Sequence, residues 1–149
     1  MPIDRPQRKS IRLPNFDYSS EGAYFVTICT EQKAKILCNY SAPAIEGDAP
    51  VFLLTPIGHA VDDMIQRIPG IDKYVIMPNH VHLIILNHPA DPPLSRKVQL
   101  FKSNLTRKLG HSIWQRNYYE HVIRSEQDYL IRWKYIDDNP AKWATDDYF

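Results

Sequence analysis

The chain has 149 residues, 44% hydrophobic and 23% charged, with a formal net charge of +1. That length suits one domain with a real core, and the composition excludes a disordered or fibrous chain. No apolar run approaches the roughly 20 residues of a membrane span, and the N-terminus MPIDRPQRKSIRLP lacks a signal peptide's apolar core, so a cytoplasmic protein is expected.

Residues 1–20 read as an extended basic arm carrying Arg5, Arg8, Lys9 and Arg12 and ending in the turn chemistry of NFDYSSEG. AYFVTICT, 23–30, is aromatic and β-branched after Gly22 and predicts a strand. Cys29 within it reads as a small buried side chain. With Cys38 it makes neither a disulfide framework nor a four-ligand zinc site. NYSAPAIEGDAP, 39–50, reads as a polar, proline-rich loop. Thr55-Pro56 then supplies an N-cap and a proline at the first helical position. Ile57, Val61, Met64, Ile65 and Ile68 recur at helical spacing until Pro69-Gly70 ends the pattern. The apolar runs 71–77 and 80–86, parted by Pro78-Asn79, predict a tight hairpin or one bent strand, and DPP at 91–93 stops the second run. Residues 94–109 predict a helix with Leu94, Val98, Phe101, Leu105 and Leu109 as its apolar stripe, closed by Gly110. NYYEHVIR, 117–124, alternates as a strand. Ser125 with Asp128 then opens a last helix, running to about Asn139 and stopped by Pro140.

The order β-α-β-β-α-β plus a final helix matches the ferredoxin-like plan, an α+β fold in a single domain over 1–149. In that plan the first and third strands are central neighbours, and one face of the antiparallel sheet is left available to a ligand.

The third strand reads HVHLIIL, and His80 and His82 point to one face while Val81, Leu83 and Ile85 point to the other. The two imidazoles can reach one cation. On this spacing alone, two polar residues on a sheet surface remain the simpler account, because a metal site needs a third ligand. His59 is expected to face solvent, and His88 and His111 offer no spacing argument. His121, in YYEHVIR, is the better candidate for a site neighbour. In the last helix Tyr135 and Asn139 are one turn apart, so an amide oxygen and a hydroxyl could lie side by side. Periodicity alone favours Tyr135 as a core or surface aromatic near the packing stripe of Tyr129, Trp133 and Ile136. Asn139 precedes proline, which disfavours helical dihedrals.

Charge is uneven along the chain. SRKVQLFKSNLTRKL carries Arg96, Lys97, Lys102, Arg107 and Lys108 with no acid. A basic helix is often only a solvated face, but together with the basic arm it points toward a phosphate-backbone partner.

YVIMPNHVHLII and YIDDNPAKW, with LPNFDYSSEGAYFVTICT, LTPIGHAV and IWQRNYYEHVIRSEQDY, resemble the HUH single-strand tyrosine transposases, where U is a bulky apolar residue. Within them the chain is most similar to the REP-associated tyrosine transposases, relatives of the insertion-sequence-200-like enzymes. The resemblance spans nearly the whole chain. It implies His80 and His82 as metal ligands, Tyr135 as nucleophile, and Asn139 at the third ligand position, where the relatives often carry glutamine. It implies magnesium or manganese, the imidazoles suiting manganese better. The expected chemistry is cleavage and rejoining of single-stranded DNA carrying a hairpin, through a 5′-phosphotyrosine intermediate. Arg8, Lys9, Arg12, Arg96, Lys97, Lys102, Arg107 and Lys108 would contact phosphate, and Tyr118, Tyr119 or Trp114 could stack bases. Relatives work either as homodimers with the tyrosine acting in trans or as monomers in cis. Two other readings stand beside this one. A related HUH initiator nuclease usually has a third histidine or acid and a longer chain. A non-catalytic RRM-like module would need a Lys/Arg-Gly-Phe-type motif, which is absent.

Overall fold

In the first strand, β1 (Gly22–Cys29), large apolar side chains fall on both faces, as a central strand requires. β1 pairs antiparallel with β5 (His80–Asn87) on one side and with β6 (Tyr119–Ile123) on the other. β4 (Ile71–Met77) completes the sheet in the order β4-β5-β1-β6, so the HVH strand is central, next to the first strand as expected. The structure, a computed structural model, describes residues 22–43, 45–48 and 50–145, with backbone only at 144 and 145. The basic arm, including Arg5, Arg8, Lys9 and Arg12, lies outside the described residues.

Two helices pack on one face of the sheet. Helix α1 (Pro56–Ile65) starts where Thr55 Oγ1 accepts a hydrogen bond from Gly58 N at 3.0 Å. Helix α2 (Leu94–Leu109) ends at Gly110, whose φ of +88° is the left-handed stop that favours glycine. Between them and the sheet lie Val26, Ile28, Val81, Leu83 and Ile85, packed with Val61, Ile65, Val98, Phe101 and Leu105. Helix α3 (Glu126–Asp138), capped by Ser125 Oγ accepting from Asp128 N at 3.1 Å, covers the opposite face. There Ala23, Phe25, Ile84, Leu86 and Ile123 meet Tyr129, Trp133 and Ile136. Strand alternation therefore builds two cores, and burying both sheet faces is the main source of cohesion. Among the described residues no helix is long and apolar enough to cross a membrane.

Two expectations need correction. The segment expected as a loop, 39–50, opens within a strand, β2 (Cys38–Ser41), which pairs with β3 (Val51–Leu54) just beyond it, in register from Cys38↔Leu54 to Ser41↔Val51. The two strands are mostly exposed, so they lack the apolar alternation that marks a half-buried strand. The last α-helix ends at Asp138, just before Pro140 as expected, but the residue before the proline is not forced out of helical geometry. Asn139 keeps helical dihedrals (φ −56°, ψ −44°), and a 3-10 segment continues over Asn139–Thr145. Proline in the first turn of that new segment loses no hydrogen bond.

Candidate active site

Register places the site residues. His82 lies opposite Thr27, which lies opposite Tyr119, while His80 lies opposite Cys29. On the other flank His82 faces Val75 and His80 faces Met77. All of these share the face covered by α3, so the histidines are not on an open surface. Both are buried, their rings 4.6 Å apart at 70°.

Each imidazole is fixed through Nδ1. Asn79 Oδ1 lies 2.7 Å from Nδ1 of His80, and Thr27 Oγ1 lies 2.8 Å from Nδ1 of His82. An amide oxygen only accepts, so Nδ1 of His80 carries the hydrogen and Nε2 presents the lone pair. Asn79 is itself held in its turn, because its carbonyl accepts from Thr30 N at 3.0 Å and Thr30 Oγ1 at 3.1 Å. Thr27 and Asn79 were not singled out from sequence. The signal for Asn79 was its place before the first histidine, whereas Thr27 becomes visible only with the β1–β5 register.

The end of α3 and the segment after it close over this pair. Tyr135 stands edge-on to His82 at 5.2 Å and to Phe25 at 5.8 Å, with 39% of its surface exposed. Trp143 stacks on His80 at 6.0 Å and 22°, and it also meets Tyr40 and Phe52 of the β2–β3 hairpin. Asn139 lies four residues from each of Tyr135 and Trp143. It is buried, and its Oδ1 has no hydrogen-bond partner among the described residues. A buried amide oxygen left so is costly unless something outside the chain takes it up.

Among the described residues no three His, Cys, Asp or Glu side chains gather to hold a metal. A metal site built on this face would have to combine the two imidazole nitrogens with a different kind of donor, such as an amide oxygen. The buried Nε2 atoms of His80 and His82, with Asn139 Oδ1, have the chemistry of such a donor set and fit a divalent cation.

No family model matches the chain. A Haemophilus influenzae protein of uncharacterised function is 34% identical, the match covering 93% of this chain and 91% of that protein. An Escherichia coli REP-associated tyrosine transposase is also 34% identical, over 48% of this chain and 44% of its own length. Among solved structures, a REP-associated tyrosine transposase bound to a REP hairpin superposes with a TM-score of 0.58 and 26% identity, covering 82% of this chain and 68% of that one. The chain is thus similar in sequence and fold to REP-associated tyrosine transposases.

The remaining candidate residues fall into three groups. His121 shares the histidines' face, opposite Phe25, but its Nε2 is 2.8 Å from Asp128 Oδ2. Phe25 stands between it and Tyr135. The basic helix α2 lies on the other side of the sheet. Arg96, Arg107 and Lys108 are exposed there, and the last two line an open groove of about 310 Å³ with Arg67, Met64 and Asn104. The third group is corrected by burial. Lys97 lies inside, its Nζ donating to Pro69 O at 2.9 Å and to Asp91 Oδ2 at 3.1 Å. Lys102 Nζ donates to the carbonyls of Gln115 at 2.9 Å and Arg116 at 3.1 Å, and burial holds its pKa below the ordinary lysine range. Both cations hold loops in place, Lys97 from inside the protein and Lys102 from a half-buried position. Trp114 is likewise buried and packs on Phe101, which removes it as a base platform.

Proposed function

We propose that this protein is a metal-dependent nuclease and strand transferase that cleaves and rejoins single-stranded DNA beside a hairpin, through a 5′-phosphotyrosine intermediate on Tyr135. The observation that carries the reading is the Tyr135 ring beside His82 of its own chain, on a face that also holds His80 and is closed by the segment bearing Asn139.

A tyrosine hydroxyl, with a pKa near 10, is a poor nucleophile at neutral pH. Its attack on a phosphodiester needs negative charge stabilised at the phosphate. Magnesium or manganese held by His80, His82 and Asn139 would supply that stabilisation at a non-bridging oxygen. The hydrogen bonds that the Nδ1 atoms make with Asn79 and Thr27 fix the two rings, so neither reorganises during the reaction. Tyr135 Oη attacks phosphorus in line as its proton departs. The P–O3′ bond breaks, and O3′ takes a proton to become a free 3′-hydroxyl. The 5′-phosphate stays on tyrosine until the 3′-hydroxyl of a second strand reverses the attack, so the step is strand transfer and not hydrolysis.

The relative solved with a REP hairpin supports a folded single strand as the partner. Tyr135 beside its own chain's His82 favours a site complete within one chain, acting in cis. The test is a denaturing gel after incubation with manganese and a hairpin DNA labelled 3′ of the cut. A covalent protein–DNA band is expected. Its absence across a panel of hairpin substrates, with either metal, would overturn the reading.

A further inference from the structure

Beside the histidine pair the sheet has a defect. In a regular antiparallel ladder, Thr27↔Tyr119 would be followed by Cys29 opposite Asn117. Instead the carbonyl of Cys29 accepts from Gln115 N at 2.9 Å, and Thr30 bridges to Trp114. Two extra residues must therefore bow away from β1 between these attachments. The space they leave is an open cavity of about 260 Å³, lined by Thr27, Cys29, Gln115, Asn117, Tyr118 and Tyr119.

The walls of this cavity are fixed. Glu31 N donates to Ile113 O at 2.9 Å, and Lys102 ties down the carbonyls of Gln115 and Arg116 from behind. Its contents are two amide side chains, two tyrosines and the threonine that holds His82. Tyr119 is half-exposed and aligned with His82 through Thr27, about two strand spacings (~10 Å) away. Burial, and then Glu120, raise the pKa of Tyr118. Among the described lining residues no side chain is charged. Such a lining offers a phosphate no charged partner and favours a flat, neutral group with hydrogen-bonding edges. Asparagine and glutamine amides pair with base edges, and an exposed tyrosine offers a stacking face.

We propose that this cavity takes one unpaired nucleobase of the strand, next to the phosphate at the histidine pair, with Gln115 and Asn117 reading its edge and Tyr119 stacking on it. The inference rests on the function proposed above, and it makes the 115–119 segment a determinant of which sequence is cut.

The test is binding of a randomised single-stranded DNA pool by the full chain without divalent metal, followed by sequencing of the bound fraction. The wild type is expected to enrich one base at one position. Gln115→Ala/Asn117→Ala should reduce that preference about tenfold. Tyr119→Ala should weaken binding about fivefold or more while leaving the preferred base unchanged. Thermal melts check that both variants fold. Equal enrichment in wild type and the double variant, or no enriched base in the wild type, would overturn the inference. Because nothing is cleaved in this assay, failure of covalent adduct formation would count against the nuclease reading and leave this result to be judged separately.

Discussion

Tyr135 meets His82 edge to face, with ring centroids 5.2 Å apart and planes at 69°, and Phe25 braces the same tyrosine at 5.8 Å. Replacing Tyr135 by phenylalanine keeps both ring contacts and removes only the hydroxyl. Tyr135→Phe is expected to form no covalent adduct, to bind hairpin DNA normally, and to change stability by less than about 0.5 kcal/mol. Tyr129 is the control. It is buried and its hydroxyl donates to Asp72, so Tyr129→Phe should cost about 1 kcal/mol of stability and still form the adduct. An undiminished adduct in Tyr135→Phe would move the nucleophile to another tyrosine.

The same pair of residues decides between cis and trans. Tyr135 and His82 belong to one chain, so a Tyr135→Phe chain mixed with a His80→Ala/His82→Ala chain has no complete site. The mixture is expected to remain inactive on denaturing gels after incubation long enough for subunit exchange. Recovery of adduct on mixing would assign the tyrosine to the partner of each histidine pair.

Much of this architecture was legible because local chemistry and tertiary context agree. Thr55-Pro56, Ser125-Asp128 and Gly110 marked helix ends that the structure keeps. His80 and His82 shared a face by strand period alone. What could not be read came from long-range contact. The β2–β3 hairpin is anchored by Tyr40 and Phe52 against Trp143, about a hundred residues away in the chain. The bowed segment 116–118 depends on where Gln115 bonds to β1. Lys97 was legible in principle, since 94, 97, 98, 101 and 105 form one inward stripe. Its charge suggested a surface position, and only Asp91 and the Pro69 carbonyl explain why an ammonium can sit there.

That burial separates the lysines and arginines of α2 by experiment. Arg107→Ala and Lys108→Ala are expected to weaken hairpin binding uniformly across sequences and to lower the salt slope by about one each, with little change in stability. Lys97→Ala should leave the salt slope alone and lower stability by about 1–3 kcal/mol, because the Pro69 carbonyl loses its donor. Unchanged melting in Lys97→Ala, with a reduced salt slope, would return Lys97 to the DNA-binding set.

The acid partner gives this contact a pH signature. A backbone hydrogen bond from His88, and then Lys97, hold the Asp91 carboxyl below its usual value of 3.8. A depressed carboxylate contributes stability above its unfolded pKa and loses it as pH falls through the lower folded one. Asp91→Asn should therefore melt below the wild type at neutral pH, and the two curves should converge in acid. A constant offset down to the most acid pH would point to shape and not charge.

Thr27 sits at the junction of the two proposals, holding His82 through Nδ1 and lining the neighbouring cavity. Thr27→Val keeps the volume and removes the hydroxyl, so Nδ1 of His82 loses the group that fixes the ring. Loss of such a support for a metal-bound histidine typically costs 10–100-fold in metal affinity. Titration with manganese, read by electron paramagnetic resonance, should show a loss of about that size in Thr27→Val. His80→Ala should show a larger loss. Hairpin binding without metal should be near wild type in His80→Ala. The preferred base in the randomised-pool assay should survive Thr27→Val, because the proposed reading groups, Gln115 and Asn117, are intact. Wild-type manganese affinity in Thr27→Val would mean that the strand alone orients His82, and the hydroxyl would then belong to the cavity only.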